Sequence, residues 1–542
     1  MRRFIRNDLE QNRVIAFSLT LAIVLGGYVR LVHVVSADFP MNDGGLFFTM
    51  TQELIRNGFA LPTHTLYNSL ALPFAYPPLG FYLAGLLSIG LGLPLLDIFR
   101  LLPAIISVFT IPVVYKLSYG ILQSPAQAIL AMMVFAFSPR SFEWMIMGGG
   151  LTRSLGFLFA LLTLWQVYLL YTQKQIQFIV TTIVFGSLLV LSHPELTWFA
   201  IYSVAIFFLV YGRNHKGLVH SILVAIGVFF ATSPWWLTLF NRGQLSSLLS
   251  AAQSGFDIWY GNIFTLLVFD FSEEPFLKFW GLFGLLGFFA CCAERRFFLP
   301  LWLVVIFPLQ PRSGATYATV PLAMLSAICV QRIILPGLVH LSETSNWSES
   351  DIQSRRIEDD LQITNRSARL PRFVLGFLLL YAFFSAWIMP FRPNSPLRVL
   401  RDDERQALQW VARHTPEHAE FLVITGDLFW RDYISEWFPA LAQRASLATV
   451  QGYEWLPDRF YLQWKQYVRL QACVLDNAGC LERWAKTAGV SFTHVYIPKT
   501  LPQDKESKNI FQGLEDSVRA SKDYVLIYDG PGASIYARQI AD

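Results

Sequence analysis

The chain has 542 residues, of which 54% are hydrophobic and only 15% charged, with 46 Phe, 16 Trp and a formal net charge of +4. Soluble globular domains carry about 25% charged residues, so this composition excludes a soluble enzyme and indicates a polytopic membrane protein. The small net charge gives no reason to expect a nucleic-acid partner.

The first apolar run, about 14–35, is too long for a signal peptide and is followed by no Ala-x-Ala site, so it is expected to stay as an anchor. Further segments of near-spanning length lie at about 99–118, 126–140, 154–172, 176–192, 196–212, 217–240, 275–293, 297–311, 315–337 and 373–390. That makes eleven. A shorter, glycine-rich segment at 78–93 (Gly80, Gly85, Gly90, Gly92) is expected to lie at the interface as the closing helix of the first loop.

The distribution of cations supports this count. With the N-terminus inside, eleven spans place Lys116, Lys174, Arg213, Lys216, Arg295, Arg296 and the arginines of the 340–372 loop on the cytoplasmic side. Were 78–93 to span, every later basic loop would lie outside. The expected architecture is thus an all-α membrane region, residues 1–390, of about eleven transmembrane helices, with a bacterial plasma membrane as the expected location. It carries a first outer loop at 36–98 and a cytoplasmic loop at 340–372, whose polar stretch 342–369 reads as a linker.

Residues 391–542 read as a small extracytoplasmic α/β domain. A helix is expected at Arg401–His414, helical patterns at 457–472 and 507–520, and strands at Phe421–Thr425, Ser446–Val450, Phe492–Ile497, Tyr524–Tyr528 and Ser534–Ala537. Asp529-Gly530-Pro531-Gly532 is a hairpin turn between the last two. Cys291, Cys292 and Cys329 fall in apolar spans and read as core. Cys473 and Cys480 could form a disulfide if this domain lies outside the cytoplasm.

Acidic and basic groups gather at the outer ends of the spans. In the first loop, Asn42-Asp43-Gly44-Gly45 opens a helical pattern that stops at Asn57-Gly58, and the loop also holds Asp38, Glu53, His64 and Tyr76. Asp43 suits either a helix N-cap or a general base at an acceptor hydroxyl, and one carboxylate can serve both ends. After the third span, Arg140 and Arg153 bracket Glu143 and Gly148-Gly149-Gly150. An arginine fork suits a phosphate, and the alternative is snorkelling to head groups. After the fifth span comes Ser192-His193-Pro194-Glu195; ionisable groups at this depth are costly and point to function. Arg312 sits at the break Pro311-Arg312…Thr316-Tyr317, facing outward. No P-loop, GxGxxG or CxxC occurs, which argues against nucleotide chemistry and against an ATP-driven pump. No fixed-spacing metal-ligand motif occurs either, and a divalent metal, with His193, Glu195 and a first-loop acid as ligands, stays open.

In the order Asn42-Asp43-Gly44-Gly45, Tyr76-Pro77-Pro78-Leu79-Gly80-Phe81-Tyr82, Arg100-Leu101-Leu102-Pro103-Ala104, Ser138-Pro139-Arg140 and Pro311-Arg312…Thr316-Tyr317, residues 1–390 resemble the membrane-embedded C-type glycosyltransferases. These include protein O-mannosyltransferases, aminoarabinose lipid A transferases and oligosaccharyltransferase catalytic subunits. The resemblance implies a polyprenyl-phosphate sugar as donor and Asp43 as catalytic base, with Arg140, Arg153, Arg312 and His193 at the donor phosphate. Asn42, Glu53, His64, Tyr76, Glu143, Glu195 and Tyr317 remain as candidate sugar or acceptor contacts. The glycine run 148–150 lacks the second acidic motif common in the family, which weakens any metal site of the oligosaccharyltransferase kind. The expected reaction is inverting transfer to a hydroxyl of a protein, glycolipid or polymer on the outer face. The rival readings are a transporter or flippase of a lipid-linked sugar, and a non-catalytic assembly protein with a glycan-binding outer domain.

Overall fold

The computed structural model describes residues 2–254, 272–310, 312–344, 369–392, 395–499 and 510–539. Most of the expected cytoplasmic linker, and Pro311 at the outward break, lie outside the described residues.

Six helices among them are long and apolar enough to cross a membrane: Asn12–Ser36, Leu95–Leu122, Gly150–Gln173, Pro194–Gly212, Gly314–Leu341 and Arg369–Phe391. A seventh span is available if the pair His215–Ala231 and Ser233–Asn241, bent by 58°, counts as one. The protein is an integral membrane protein. Pro125–Phe137, Gln177–Val190, Phe279–Ala293 and Phe298–Leu309 fall on expected spans but are shorter, and a perpendicular crossing needs about 20 residues. Helix length alone therefore does not fix the number at eleven. Leu79–Leu91 is the expected closing helix of the first loop.

Local chemistry sets several helix starts. Ser124 and Asn214 accept the amide hydrogens of Gln127 and Gly217 at 3.4 and 3.0 Å, and Pro125 takes the first helical position, where its missing N–H costs nothing. A charge inside the first span needs partners. Arg30, fully buried, donates to the carbonyls of Gly26 (2.9 Å) and Ala136 (2.7 Å) and to the hydroxyls of Ser107 (3.1 Å) and Ser141 (3.2 Å). It thereby ties three helices to the segment that carries Arg140.

The first loop folds as the helix Gly45–Arg56, then a hairpin of β1 (His64–Tyr67) and β2 (Leu70–Pro73). Asn68 and Ser69 adopt φ of 56° and 57° at its tip, the left-handed pair that a tight hairpin turn requires. The helix buries Leu46, Phe48, Met50 and Leu54.

The C-terminal domain is built on a five-stranded mixed sheet of order β4-β3-β5-β7-β6. The strands are β3 (Glu420–Val423), β4 (Ala445–Ser446), β5 (His494–Pro498), β6 (Tyr524–Asp529) and β7 (Ala533–Arg538). All five expected strands are present, with shifted ends, and β4 is cut to two residues. The helices Asp402–His414, Phe460–Gln471 and Gln512–Ala520 also match. Two helices were not anticipated, Tyr433–Ala442 and Ala478–Ala488. The first hides behind Pro439, a helix breaker in isolation, and is started by Asp432, which accepts the Ser435 N–H at 2.9 Å. Cys473 and Cys480 form a disulfide.

Several contacts among the described residues fasten this domain to the first loop. Arg405 grips Asp38 at 2.5 and 3.1 Å. Met41 bridges Val399, with the Asn42 N–H donating to the Arg398 carbonyl at 2.7 Å. Asn68 exchanges two hydrogen bonds with the backbone of Ser446, at 2.6 and 2.9 Å.

The domain also carries acids that burial pushes upward: Asp432 to about 6, and Glu404 to about 7. Between the ordinary carboxylate range and these values the folded chain binds protons that the unfolded chain has released, so stability falls as pH rises. Each tenfold difference in proton affinity between the folded and unfolded chain is worth about 1.4 kcal/mol. Thermal unfolding of the full chain, followed by tryptophan fluorescence, is expected to give a higher Tm near pH 5 than near pH 8; a Tm that rises over that window contradicts the burial assigned to these groups.

Candidate active site

Asp43 lies on a turn that ordinary residues rarely adopt. Asn42 has φ 51° and Gly44 φ 130°, so the chain reverses on either side of the carboxylate. Gly44, not Asp43, is the N-cap of the helix Gly45–Arg56. The N-cap alternative for Asp43 is thereby corrected. Its carboxylate points instead to the glycine run: Oδ1 accepts the Gly149 N–H at 2.9 Å, and Oδ2 is ion-paired with Arg153. Gly148 N–H donates to the Met41 carbonyl at 2.9 Å. The backbones approach so closely that a Cβ on Gly149 would stand 2.7 Å from Asp43 Oδ2 and 2.8 Å from Arg153 Nη2. Gly149→Ala is accordingly expected to displace the carboxylate and lower turnover by about a hundredfold, with expression and Tm close to wild type; unchanged turnover would show that Asp43 need not sit here.

Arg153 was expected at a donor phosphate, and the structure places it on Asp43. Its Nη1 donates to the Trp144 carbonyl at 2.9 Å, and its guanidinium lies 5.8 Å from the Trp144 ring centroid. Asn42 is buried and positions the turn: its side chain donates to the Trp430 carbonyl at 3.0 Å, and its own carbonyl accepts the Trp437 indole N–H at 2.8 Å. Trp437 packs edge-on to Phe39. Beside it, Glu436 directs Oε1 at the amides of Gly44 (3.3 Å) and Leu46 (3.4 Å). The C-terminal domain thus helps to build the setting of the Asp43 turn.

A second cluster adjoins the first through Tyr76. Its hydroxyl shares a hydrogen bond of 3.0 Å with Thr152, next in sequence to Arg153, and its ring meets Phe47, Trp455 and His193 edge-on. Glu195 Oε2 accepts from Ser313 at 2.8 Å and Tyr317 at 3.4 Å, and its backbone carbonyl accepts from Gln310 at 2.9 Å. His193 is buried, with Nδ1 lacking a hydrogen-bond partner. Arg312 is exposed, makes no hydrogen bond or ion pair among the described residues, and interacts electrostatically with Tyr76, Glu195, His193 and Glu454. Glu454, from the C-terminal domain, is a half-buried acid that accepts the Gly452 N–H at 2.9 Å.

Four expected residues, Glu53, His64, Glu143 and Arg140, are not among the side-chain partners of Asp43. Glu53 accepts the Leu66 N–H at 2.9 Å and ties the hairpin to the helix Gly45–Arg56. His64 is exposed at the start of β1. Glu143 is buried beside Glu273, and burial followed by the Glu273 charge raises its carboxyl well above the ordinary range. Glu273 in turn is ion-paired with Arg140, whose guanidinium lies 5.9 Å from the Trp144 ring centroid. Neither Glu143 nor Tyr317 has the exposure to touch an acceptor.

Sequence reasoning missed Glu436 and Glu454. Glu454 lies within Gln451-Gly452-Tyr453-Glu454-Trp455 and Glu436 adjoins Trp437-Phe438-Pro439, aromatic-rich stretches that suit sugar stacking and equally read as ordinary core and turn. No three His, Cys, Asp or Glu side chains gather to hold a metal among the described residues. Both Asp43 oxygens have partners within the chain.

No protein-family model matches the chain, and no curated protein matches its sequence. Solved structures do match. Oligosaccharyltransferase AglB from Archaeoglobus fulgidus superposes at a TM-score of 0.55 with 14% identity, over 97% of this chain and 74% of that one. Arabinofuranosyltransferase AftD from Mycobacteria gives 0.55 and 14%, over 98% of this chain and 40% of AftD. ArnT from Cupriavidus metallidurans, in the apo state, gives 0.49 and 12%, over 97% and 98%. The structural neighbours are C-type glycosyltransferases, and the chain has their fold.

Proposed function

We propose that the protein is an inverting glycosyltransferase that moves a sugar from a polyprenyl-phosphate donor to an acceptor hydroxyl at the outer face of a bacterial plasma membrane. The observation that carries this reading is the fixed carboxylate of Asp43, half-buried where the membrane helices meet the C-terminal domain, with the cation of Arg312, which has no ion pair among the described residues, in the adjoining cluster. In an inverting displacement, the acceptor oxygen attacks the sugar's anomeric carbon as the bond to the phosphate oxygen breaks. The acceptor proton passes to Asp43, and the electron pair leaves with the polyprenyl phosphate. Arg312 supplies charge for that leaving group, since a developing phosphate dianion is stabilised most by a cation not already neutralised. Arg153 and Gly149 hold the base. Glu195, with Ser313 and Tyr317, holds the helix start that presents Arg312.

The fold comparison supports this reading: the AglB structure contains a dolichol-phosphate. The orientation rests on the cation distribution, which puts the N-terminus inside over eleven spans, and on the Cys473–Cys480 disulfide, which suits an oxidising compartment. The test is the configuration of the product. Transfer from a donor of known anomeric configuration should invert it, and should persist with chelator present; retention would require a covalent sugar–enzyme intermediate and remove the general-base role from Asp43.

A further inference from the structure

Glu436 takes no part in the displacement, yet it is the deeply buried carboxyl facing the catalytic turn. It is 4% exposed. Its Oε1 reaches two backbone amides on either side of Gly45, and its Oε2 is buried with no hydrogen-bond partner. The backbone at this residue is equally constrained. Its carbonyl accepts the Tyr67 hydroxyl at 2.6 Å, and a Cβ on Gly45 would come 2.5 Å from that carbonyl oxygen. The helix Tyr433–Ala442, the hairpin and the Asp43 turn therefore meet at one residue.

The charged and titratable groups facing Glu436 are Asp43 from the first loop, Tyr67 from β1 and Glu454 from the loop before Trp455. No cation among the described residues is ion-paired with it, and Arg153 is engaged by Asp43. Two interacting carboxylates in a buried setting do not both ionise readily. Asp43 holds the cation.

We infer that Glu436 is a positioning residue for Asp43, working as a neutral acid that fastens the Gly44–Gly45 turn and leaves Asp43 the negative charge there. The inference rests on the general-base reading of Asp43. Burial, and after it the charge of Asp43, pushes the Glu436 carboxyl up to about 8, in keeping with a neutral group at physiological pH. As pH rises through that value, a second negative charge develops against Asp43 with no partner, and the turn is loaded by repulsion. The C-terminal domain is then more than a cap: it completes the setting of the base and makes it sensitive to alkali.

The experiment compares wild type, Glu436→Gln, Glu436→Ala and Asp43→Asn as full-length proteins, with turnover and Tm each measured from about pH 6 to pH 9. Wild-type kcat should fall on the alkaline side with an apparent pKa near that of Glu436. E436Q, neutral at every pH, should keep activity near neutrality and lose the alkaline fall. E436A should lose kcat by about a hundredfold with little change in donor KM. Independently of turnover, Tm should drop less between pH 6 and pH 9 in E436Q than in wild type. A purely structural role would still move the Tm profile through the titration of Glu436, but would leave the pH profile of kcat unchanged. An alkaline limb identical in E436Q, an inactive but folded E436Q, full kcat in E436A, or equal Tm profiles would each overturn the inference. An active D43N would instead overturn the reading of the base, and the Tm comparison would still decide the protonation of Glu436.

Discussion

Asp43→Asn is expected to abolish sugar transfer while the protein stays folded and still binds its lipid donor. The amide can keep the Gly149 hydrogen bond through its oxygen, but its nitrogen then faces Arg153, donor against donor. More important, an amide cannot take the acceptor proton. General-base catalysis contributes about a hundred- to ten-thousand-fold, and the loss should appear in kcat, because the donor phosphate is assigned to Arg312. Product formation, Tm and retention of bound polyprenyl-phosphate sugar would be measured together. Activity within severalfold of wild type in D43N would remove the catalytic assignment. Loss of donor binding along with activity would place Asp43 in donor recognition instead.

Arg153→Ala should be nearly as damaging, and the way in which it fails separates two roles. The sequence alone suggests a phosphate-gripping arginine; the structure shows its guanidinium held by Asp43, the Trp144 carbonyl and the Trp144 ring. Removing it leaves the carboxylate with one backbone donor and room to rotate, and a misplaced base costs about a hundredfold. The fall should be in kcat, with donor KM changed little. Arg153→Lys keeps the charge but loses the fork that reaches Asp43 and Trp144 together, so recovery should be partial. A raised donor KM at unchanged kcat in R153A would mean that Arg153 binds the phosphate after all.

The sequence makes the frame legible because the frame is written in local terms. Apolar runs mark the spans, Gly92 ends the closing helix, and Asp529-Gly530-Pro531-Gly532 marks the last hairpin. Asp43, Arg153 and the glycine run could be singled out because polar groups and glycines stand out beside apolar spans. Their pairing could not, since it depends on how two helix starts, distant in sequence, are brought together. Glu436 was harder. It sits in Tyr433–Ala442, where Trp437, Phe438 and Pro439 look like core, and its function comes from docking onto the first loop. Arg140 and Glu143 were over-read for the opposite reason. Both lie at the right end of a span, but Glu273, from the far side of the chain, takes up Arg140 and faces Glu143.

The central claim is that this fold carries out sugar transfer from a lipid phosphate with Asp43 as the base. The most direct measurement uses purified wild type and D43N with a panel of polyprenyl-phosphate sugars and candidate acceptors, following release of free polyprenyl phosphate. The account predicts acceptor-dependent release by wild type with at least one donor, and none above background by D43N. Equal release by both proteins, or donor movement across a membrane without release, would contradict it.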